Sequence, residues 1–394
     1  MLRAIDAESG WALFGFGVDG ARAVMTGLVA SVFTFVVFVF SILLVAVQIA
    51  SANLSPRVIA GLLSHRPVRI CLGVMVFAFV YGLAVLGRIE TSVQQLPLAV
   101  AVGASVASIV TFLYLIDHLA RALRPVSVLS WVGREGARVI EAMYPARVAG
   151  SDEGGSDAPR ESGADRVVCA RGGGVVLAFD GPGLVALARR ADCVIELLPQ
   201  VGDFVAKGGP LFRLHGKGAG PGEDDLHGRL ALGDERTMEQ DPAFPFRIIV
   251  DIAAKALSPA INDPTTAVLA IDQIHHLLRN LAGRRLDTGR VEDRDGRLRL
   301  VYRTPGWEEF VALAVTEIRH FGASSMQVAR RLRAMLEDLI QAVPPGCRPP
   351  LHAELLRLRR AAERAFGDPD DRAQAERGDS QGLGGHEPRL EPGA

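Results

Sequence analysis

Apolar positions crowd the first third of the chain and then thin into two other rhythms. Three stretches hold scarcely a charge: Val24 to Ala50, Ile70 to Gly87, and Thr91 to Ile116 with its apolar core from Leu96. Each can cross a hydrocarbon layer, which takes about 20 residues of helix. The pattern predicts spans at about 24–50, 70–87 and 96–116 inside a membrane region over 24–144, after an N-terminal segment, 1–23. A buried soluble helix is the competing reading, and three such segments in succession argue against it. The first runs too long and too deep in the chain for a signal peptide, and no small-residue cleavage site follows it. Small residues recur four apart, Ala78 with Gly82 and Ala99 with Gly103 and Ala107, a spacing that lets helices pack closely.

From Gly150 to Ala164 the run GSDEGGSDAPRESGA predicts a flexible linker over 145–164. Short β-type segments follow, VVCA, VVLAF, CVIEL, DFVA and PLFRL, with one helix at about Leu184 to Ala191; they predict a small β domain over 165–216. The stretch VGDFVAKGGPLFRL resembles the hairpins of barrel-sandwich domains such as lipoyl and biotinyl carriers, whose turns set the strand spacing. Carrier chemistry does not come with it, because Lys207 sits in a different turn from the one a modified lysine occupies. Gly172 to Gly174 lack the Gly-Lys-Ser/Thr of a phosphate loop. Beyond this the period becomes helical, and 217–366 reads as a mainly helical domain. Alternation at Leu298, Leu300 and Tyr302 predicts an edge strand. Thr304-Pro305 then opens a helix that ends at Gly322, and others are expected over about 324–341 and 351–366, the last with Arg357, Arg359 and Arg360 on a basic face. The Gly-, Pro- and acid-rich composition from Gly367 predicts a disordered tail, 367–394.

Charge then orients the chain. Arg57, Arg66 and Arg69 lie between the first two spans and Arg121, Arg124, Arg134 and Arg138 follow the third, whereas the loop between the second and third offers Arg88 beside Glu90. Because positive loops stay in the cytoplasm, the N-terminus is expected outside and the carboxyl domain inside a bacterial inner membrane. Over all 394 residues the net charge is -1, which gives no reason to expect a nucleic-acid partner. The four cysteines include no CxxC pair and the nine histidines no HExxH, so neither a disulfide framework nor a metal site is expected. The adjacent pair His275-His276 would point about 100° apart on a helix, a poor chelating arrangement.

The most patterned stretch is Gln240 to Ala267, QDPAFPFRIIVDIAAKALSPAINDPTTA. Phe246, Val250, Ala253 and Leu257 recur at helical spacing, and Arg247, Asp251 and Lys255 lie four apart on one face. Ser258-Pro259 breaks this helix, and Asp263-Pro264 starts the next, with Asp as cap and Pro at a first-turn position that needs no N–H partner. This run is similar to the signature of the predicted membrane proteins grouped as domain of unknown function 2254. The resemblance extends from about Trp11 to Arg357. Ser55-Pro56-Arg57 and His118 match it as well, while Asp117 replaces another residue. Two departures are Pro245 and Ala260, which stand where the family usually has Gly and so stiffen the helix start and the loop. The resemblance also implies one more span before the Trp11 region, which this chain starts too late to contain. It implies a membrane protein and no particular reaction.

Two readings of the signature stay open. Arg247, Asp251, Lys255, Asn262, Asp263, Thr265 and Thr266 form either a charge ladder with a helix cap or a polar pocket in which amides and a cation take a small anionic ligand. At the end of the first span, Ser55 and Arg57 in QIASANLSPR form either an interfacial cap facing lipid phosphates or a site; His118 ends the third span. The fold expected is a helical membrane part followed by a cytosolic α+β region, a barrel-sandwich-hybrid-like β domain and then a helical bundle. No Ser-His-Asp pattern, nucleotide loop or paired catalytic acid is legible, and no cofactor is implied. A membrane-anchored regulatory or ligand-sensing scaffold is therefore favoured over an oligomeric channel or transporter, and over an enzyme. Its expected partners are the lipid bilayer and a second copy of the chain.

Overall fold

The computed structural model describes residues 17–53, 66–89, 93–122, 124–147, 166–216, 218, 220–286 and 289–384. Two compact units divide the chain, Met1–Val128 and Leu129–Ala394.

The first unit is built from α1 (Val18–Asn53), α2 (Arg66–Leu86) and α3 (Gln95–Ala122). Their span-length apolar stretches are Val18–Gln48, Pro67–Leu86 and Gln95–Arg121. The first begins earlier than the expected residue 24, because a helix does not stop where charge begins: the Arg22 guanidinium donates to the Ile89 carbonyl beyond the end of α2 at 2.6 Å, so its charge is met within the protein. Ala21, Met25 and Val29 pack with Leu98 and Ala101 toward that end, and Val39, Val68, Met75 and Leu115 toward the other. Ala78 is buried, and a Cβ on Gly82 would lie 2.9 Å from Val29 Cγ2. This small pair does bring two helices together. The other stripe does not, since Gly103 and Ala107 are exposed and Gly103 has open space where a Cβ would go. Phe33, Phe40, Leu44, Ile70, Phe77 and Leu113 turn outward, as contact with lipid requires. Hydroxyls at Ser31, Thr34, Ser41, Ser105 and Ser108 donate to the carbonyl four residues back, which satisfies them without water.

The second unit opens with most of α4 (Pro125–Met143). Strands β1 (Arg166–Cys169), β2 (Gly174–Phe179), β3 (Val194–Leu197), β4 (Phe204–Val205) and β5 (Pro210–His215) follow, with α5 (Gly181–Arg190) after β2. Asp180 starts α5 earlier than expected by accepting from the Gly183 amide at 2.9 Å, with Pro182 in the first turn. Next come the short α6 (Glu223–His227), β6 (Leu230–Gly233), α7 (Phe244–Ala256), α8 (Pro264–Ala282), β7 (Arg290–Glu292) and β8 (Leu298–Tyr302). The chain then forms α9 (Trp307–Gly322), α10 (Met326–Ala342), α11 (Arg348–Ala365) and α12 (Pro369–Ala375).

Two sheets form, in the orders β1-β5-β3-β8-β7 and β4-β2-β6. The β domain therefore does not close at residue 216, because β6, β7 and β8 come from the segment expected to be mainly helical. β8 is also not an edge strand. It runs parallel to β3, with Ile195 beside Leu300 and Leu197 beside Tyr302, and β7 takes the outer edge. Leaving β3 uncovered would expose a row of amides and carbonyls next to a buried core. The core beneath is Leu184, Leu187, Ile195, Leu197, Leu211, Phe212 and Leu300.

Helices α7 to α11 pack as a bundle in which Phe246 meets Phe310 at 5.5 Å between ring centres. Residues 367–384, expected to be disordered, are ordered against it. Asp368 caps α12, and the buried Asp379 carboxylate accepts the amides of Gln381, Gly382 and Gly384 at 3.1, 2.9 and 2.6 Å. Composition misses this because the order comes from backbone donors converging on one carboxylate, not from apolar burial. Within this unit α4 lies close against α7 and α8. A Cβ on Gly136 would come 2.7 Å from Pro245 Cβ and 3.2 Å from Leu277 Cδ2.

Replacing glycine with alanine inside a helix normally gains up to about 1 kcal/mol. At Gly136 the outcome should reverse, with overpacking costing about 1–3 kcal/mol, whereas Gly103→Ala should be neutral or stabilising. Thermal melts of the detergent-solubilised chain check this, and a raised Tm for Gly136→Ala would contradict the packing described.

Candidate functional site

The signature begins before its helix. Asp241, almost wholly buried, accepts from the amides of Ala243 and Phe244, each at 3.1 Å, and pairs with Arg236. It thus satisfies free donors at the start of α7 from three residues ahead of its first residue. Gln240 accepts the Phe179 amide at 3.1 Å and so ties the same start to the end of β2. It also borders an open cleft of about 490 Å³ beside Asp180 and Arg229, whose charges are paired at 2.5 Å.

Within α7, Phe244, Phe246, Ile248, Ile249, Val250, Ile252 and Ala253 are all buried, which leaves one polar edge. Arg247 occupies it. Its Nε donates to Asp251 at 2.7 Å, and Nη1 and Nη2 donate to the two carboxylate oxygens of Glu317 on α9 at 2.5 and 2.7 Å. This fork raises the arginine pKa above its ordinary value, chiefly through Glu317, and holds the Glu317 carboxyl below the usual carboxylate range. The ladder expected from spacing is real at Arg247 and Asp251. Lys255 lies half-buried two turns beyond Arg247 on the same helix.

The loop to α8 is a separate structure. The Asn262 amide donates to Ser258 O at 2.9 Å and the Asp263 amide to Ala256 O at 2.8 Å. Asn262 adopts a left-handed backbone with φ of 48°, a conformation asparagine tolerates better than most residues. Asp263 caps α8, accepting from the Thr266 amide at 3.1 Å and from its hydroxyl at 2.5 Å. Asn262 and Thr265 are exposed. Nine residues of helix, about 13 Å, separate Arg247 from Ala256 at the loop, and the amide of Thr266 is already taken by a carboxylate of the chain itself. The structure thus joins Arg247 with Asp251 and places Asn262, Asp263 and Thr265 together at the turn. It does not gather all seven into one concave pocket.

Of the interfacial residues, Ser55 and Arg57 lie outside the described residues, and His118 stacks on Tyr114 at 5.8 Å near the end of α3. Three residues that sequence reasoning did not single out turn out to matter. Glu317 carries no local signal, since it meets Arg247 only through packing of α9 on α7. Asp241 could have been read as a cap, standing just ahead of a helical run. Arg284, just past α8, donates to Asn280, to the Tyr144 carbonyl and to Glu141 at 2.9, 3.0 and 3.0 Å, and so holds the end of α4 against α8.

Three apolar helices, a mixed-sheet α+β region and a signature that forms the start and turn of two core helices define an integral-membrane type of chain. It belongs to the family of predicted membrane proteins DUF2254, whose pattern matches residues 1–338. An uncharacterized protein of Mycobacterium bovis and one of Mycobacterium tuberculosis are each 29% identical to it over 368 residues, covering 90% of this chain and 70% of theirs. No solved structure matches.

The Arg247 fork makes a measurable prediction. Arg247→Ala should cost about 1–2 kcal/mol, below the full worth of charged hydrogen bonds because both carboxylates are partly solvated. Asp263→Ala should cost about 1 kcal/mol from the lost cap. Because the folded Glu317 pKa is depressed, its contribution is present above the ordinary glutamate value of about 4.3 and is lost as pH falls through the folded value. Chemical denaturation at neutral pH and at successively lower pH should show this acid loss in the wild type and a smaller one in Glu317→Gln.

Proposed function

We propose that this protein is a membrane-anchored regulatory or ligand-sensing scaffold of the bacterial inner membrane, with its carboxyl region in the cytoplasm. The supporting observation is what the signature is built around. Both of its helices close on α4, the helix that follows the third apolar span in the chain: Pro245 and Leu277 meet Gly136, and Arg284 holds the Tyr144 carbonyl. Charges paired with one another at a helix joint suit transmission of a change in packing better than bond chemistry. The positive loops support the cytoplasmic placement. A small anionic ligand would act here by competing with Glu317 for the Arg247 guanidinium, thereby loosening α9 from α7. A second reading, an oligomeric channel or transporter formed by copies of this chain, draws on the exposed Gly103 and Ala107, where Gly103 leaves room for a neighbouring helix.

Two experiments test the proposal. Thermal melts of the solubilised chain against nucleotides, phosphates and acidic metabolites should find a ligand that raises Tm, and Arg247→Ala should abolish that rise. If no compound does so and the variants only lose stability, the ligand part falls. For topology, Cys169 is exposed in β1 whereas Cys71 and Cys193 are buried. A membrane-impermeant maleimide should leave Cys169 unlabelled in intact cells and label it after lysis; labelling from outside would invert the orientation. Ion conduction by the purified protein in a planar bilayer would favour the channel reading.

A further inference from the structure

His275 is the half-buried member of the adjacent histidine pair, and it faces a ring of charge shared by two helices. On its own helix α8 stand Asp272, the exposed His276 and Arg279; from α10 come Arg331 and Asp338. The His275 Nε2 donates to Asp338 Oδ2 at 2.7 Å, an oxygen that also accepts from Arg279 at 2.9 Å. On the other side of the ring, Arg331 Nη2 lies 3.3 Å from His275 Nδ1, while Arg331 Nε donates to Asp272 at 2.8 Å.

This geometry fixes the protonation state of the ring. A guanidinium can only donate, so His275 Nδ1 must present a lone pair and the imidazole must be neutral, with its single proton on Nε2. A second proton would set N–H against N–H and place an imidazolium beside a buried guanidinium. Burial and the nearby Arg331 accordingly hold the His275 pKa below its ordinary value, against the opposing pull of Asp338. Arg331 is nearly buried and cannot simply retreat into water.

Arg331 also reaches the segment 376–384. Position 382, a glycine, abuts Val268 of α8 and lies near the Arg331 side chain. The segment is otherwise held by polar contacts: the buried Arg330 of α10 donates to the carbonyls of Arg377 and Gly384, each at 3.1 Å, Gln327 to that of Gly382 at 2.6 Å, and Arg359 of α11 pairs with Glu376 at 3.0 Å. Its buried acid, Asp379, is turned onto backbone amides, and Leu383 is exposed. Little apolar burial secures it, so its position depends on these polar contacts, the α10 arginines among them.

We infer that His275, clamped between Asp338 and Arg331, is an acid-responsive clasp between α8 and α10, whose protonation displaces Arg331 and loosens the segment 376–384. The clasp stands independently of the scaffold reading and of any ligand at Arg247. A histidine held neutral in the folded state contributes stability above the unfolded value of about 6.5, and that contribution is lost as pH falls below it.

Hydrogen exchange of the full chain in lipid nanodiscs tests the clasp, measured from about pH 7.5 to about pH 5.5, either side of an ordinary imidazole, and corrected for intrinsic exchange. Amides of 376–384 and of the facing turns of α8 and α10 should lose protection on acidification, by at most about tenfold per pH unit, the limit for one proton. His276→Gln should respond like the wild type. His275→Gln keeps one donor and one acceptor at the site and should be flat. Arg331→Met removes the opposing cation, so acid should leave its protection unchanged or raise it through the bond to Asp338. A flat wild type overturns the inference. So does a His275→Gln that responds fully or, should that variant not fold, an Arg331→Met that still loosens in acid.

Discussion

Burying α7 on nearly every side forces its few polar groups onto one edge and one end, and much of the second unit is arranged to meet them. A guanidinium cannot be carried into a packed bundle without acceptors for its donors. Arg247 finds them in Asp251 on its own helix and in Glu317 on α9. At the helix start the free amides of Ala243 and Phe244 turn to Asp241, which is buried and paired with Arg236. One buried helix thus dictates the position of a second helix and of the loop that precedes it.

The same economy of space governs α4. Its residues Val132 and Ile140 are buried, and Gly136 allows Pro245 to approach to a distance that no side chain permits. The small residue is on α4 and the rigid one on α7. Arg284 then uses three donors to end α4 and to join it to α8. Close packing and a multiply bonded arginine are mutually supporting, because each fixes the distance the other needs.

In the first unit the governing constraint is the absence of water. Apolar side chains face outward, hydroxyls return to the helix backbone, and the one arginine near the start of α1 is bonded to a carbonyl at the end of α2. In the second unit water is available, and the balance shifts to paired charges. The buried Glu354, met by Arg319 at 3.0 Å and by Arg357 at 2.5 Å, shows that the basic face of α11 is in part a structural bond rather than a free surface.

Periodicity, length and cap chemistry determined the three apolar helices, the start of α8 at the Asp-capped Pro264, and the pairing of Arg247 with Asp251. These are local properties: each depends on residues within about one turn of one another, or on a run long enough to cross a membrane. Tertiary structure decided the rest. It took β8 into the middle of a sheet, because the open edge of β3 needed a partner from far along the chain. It gave Arg247 its second carboxylate, Glu317, and it ordered 376–384 through backbone amides that no composition reveals. It also separated Asn262, Asp263 and Thr265 from Arg247 along a stiff helix. Close spacing in sequence does not place residues at either end of such a helix in one pocket; only the packing of its neighbours decides what each end meets.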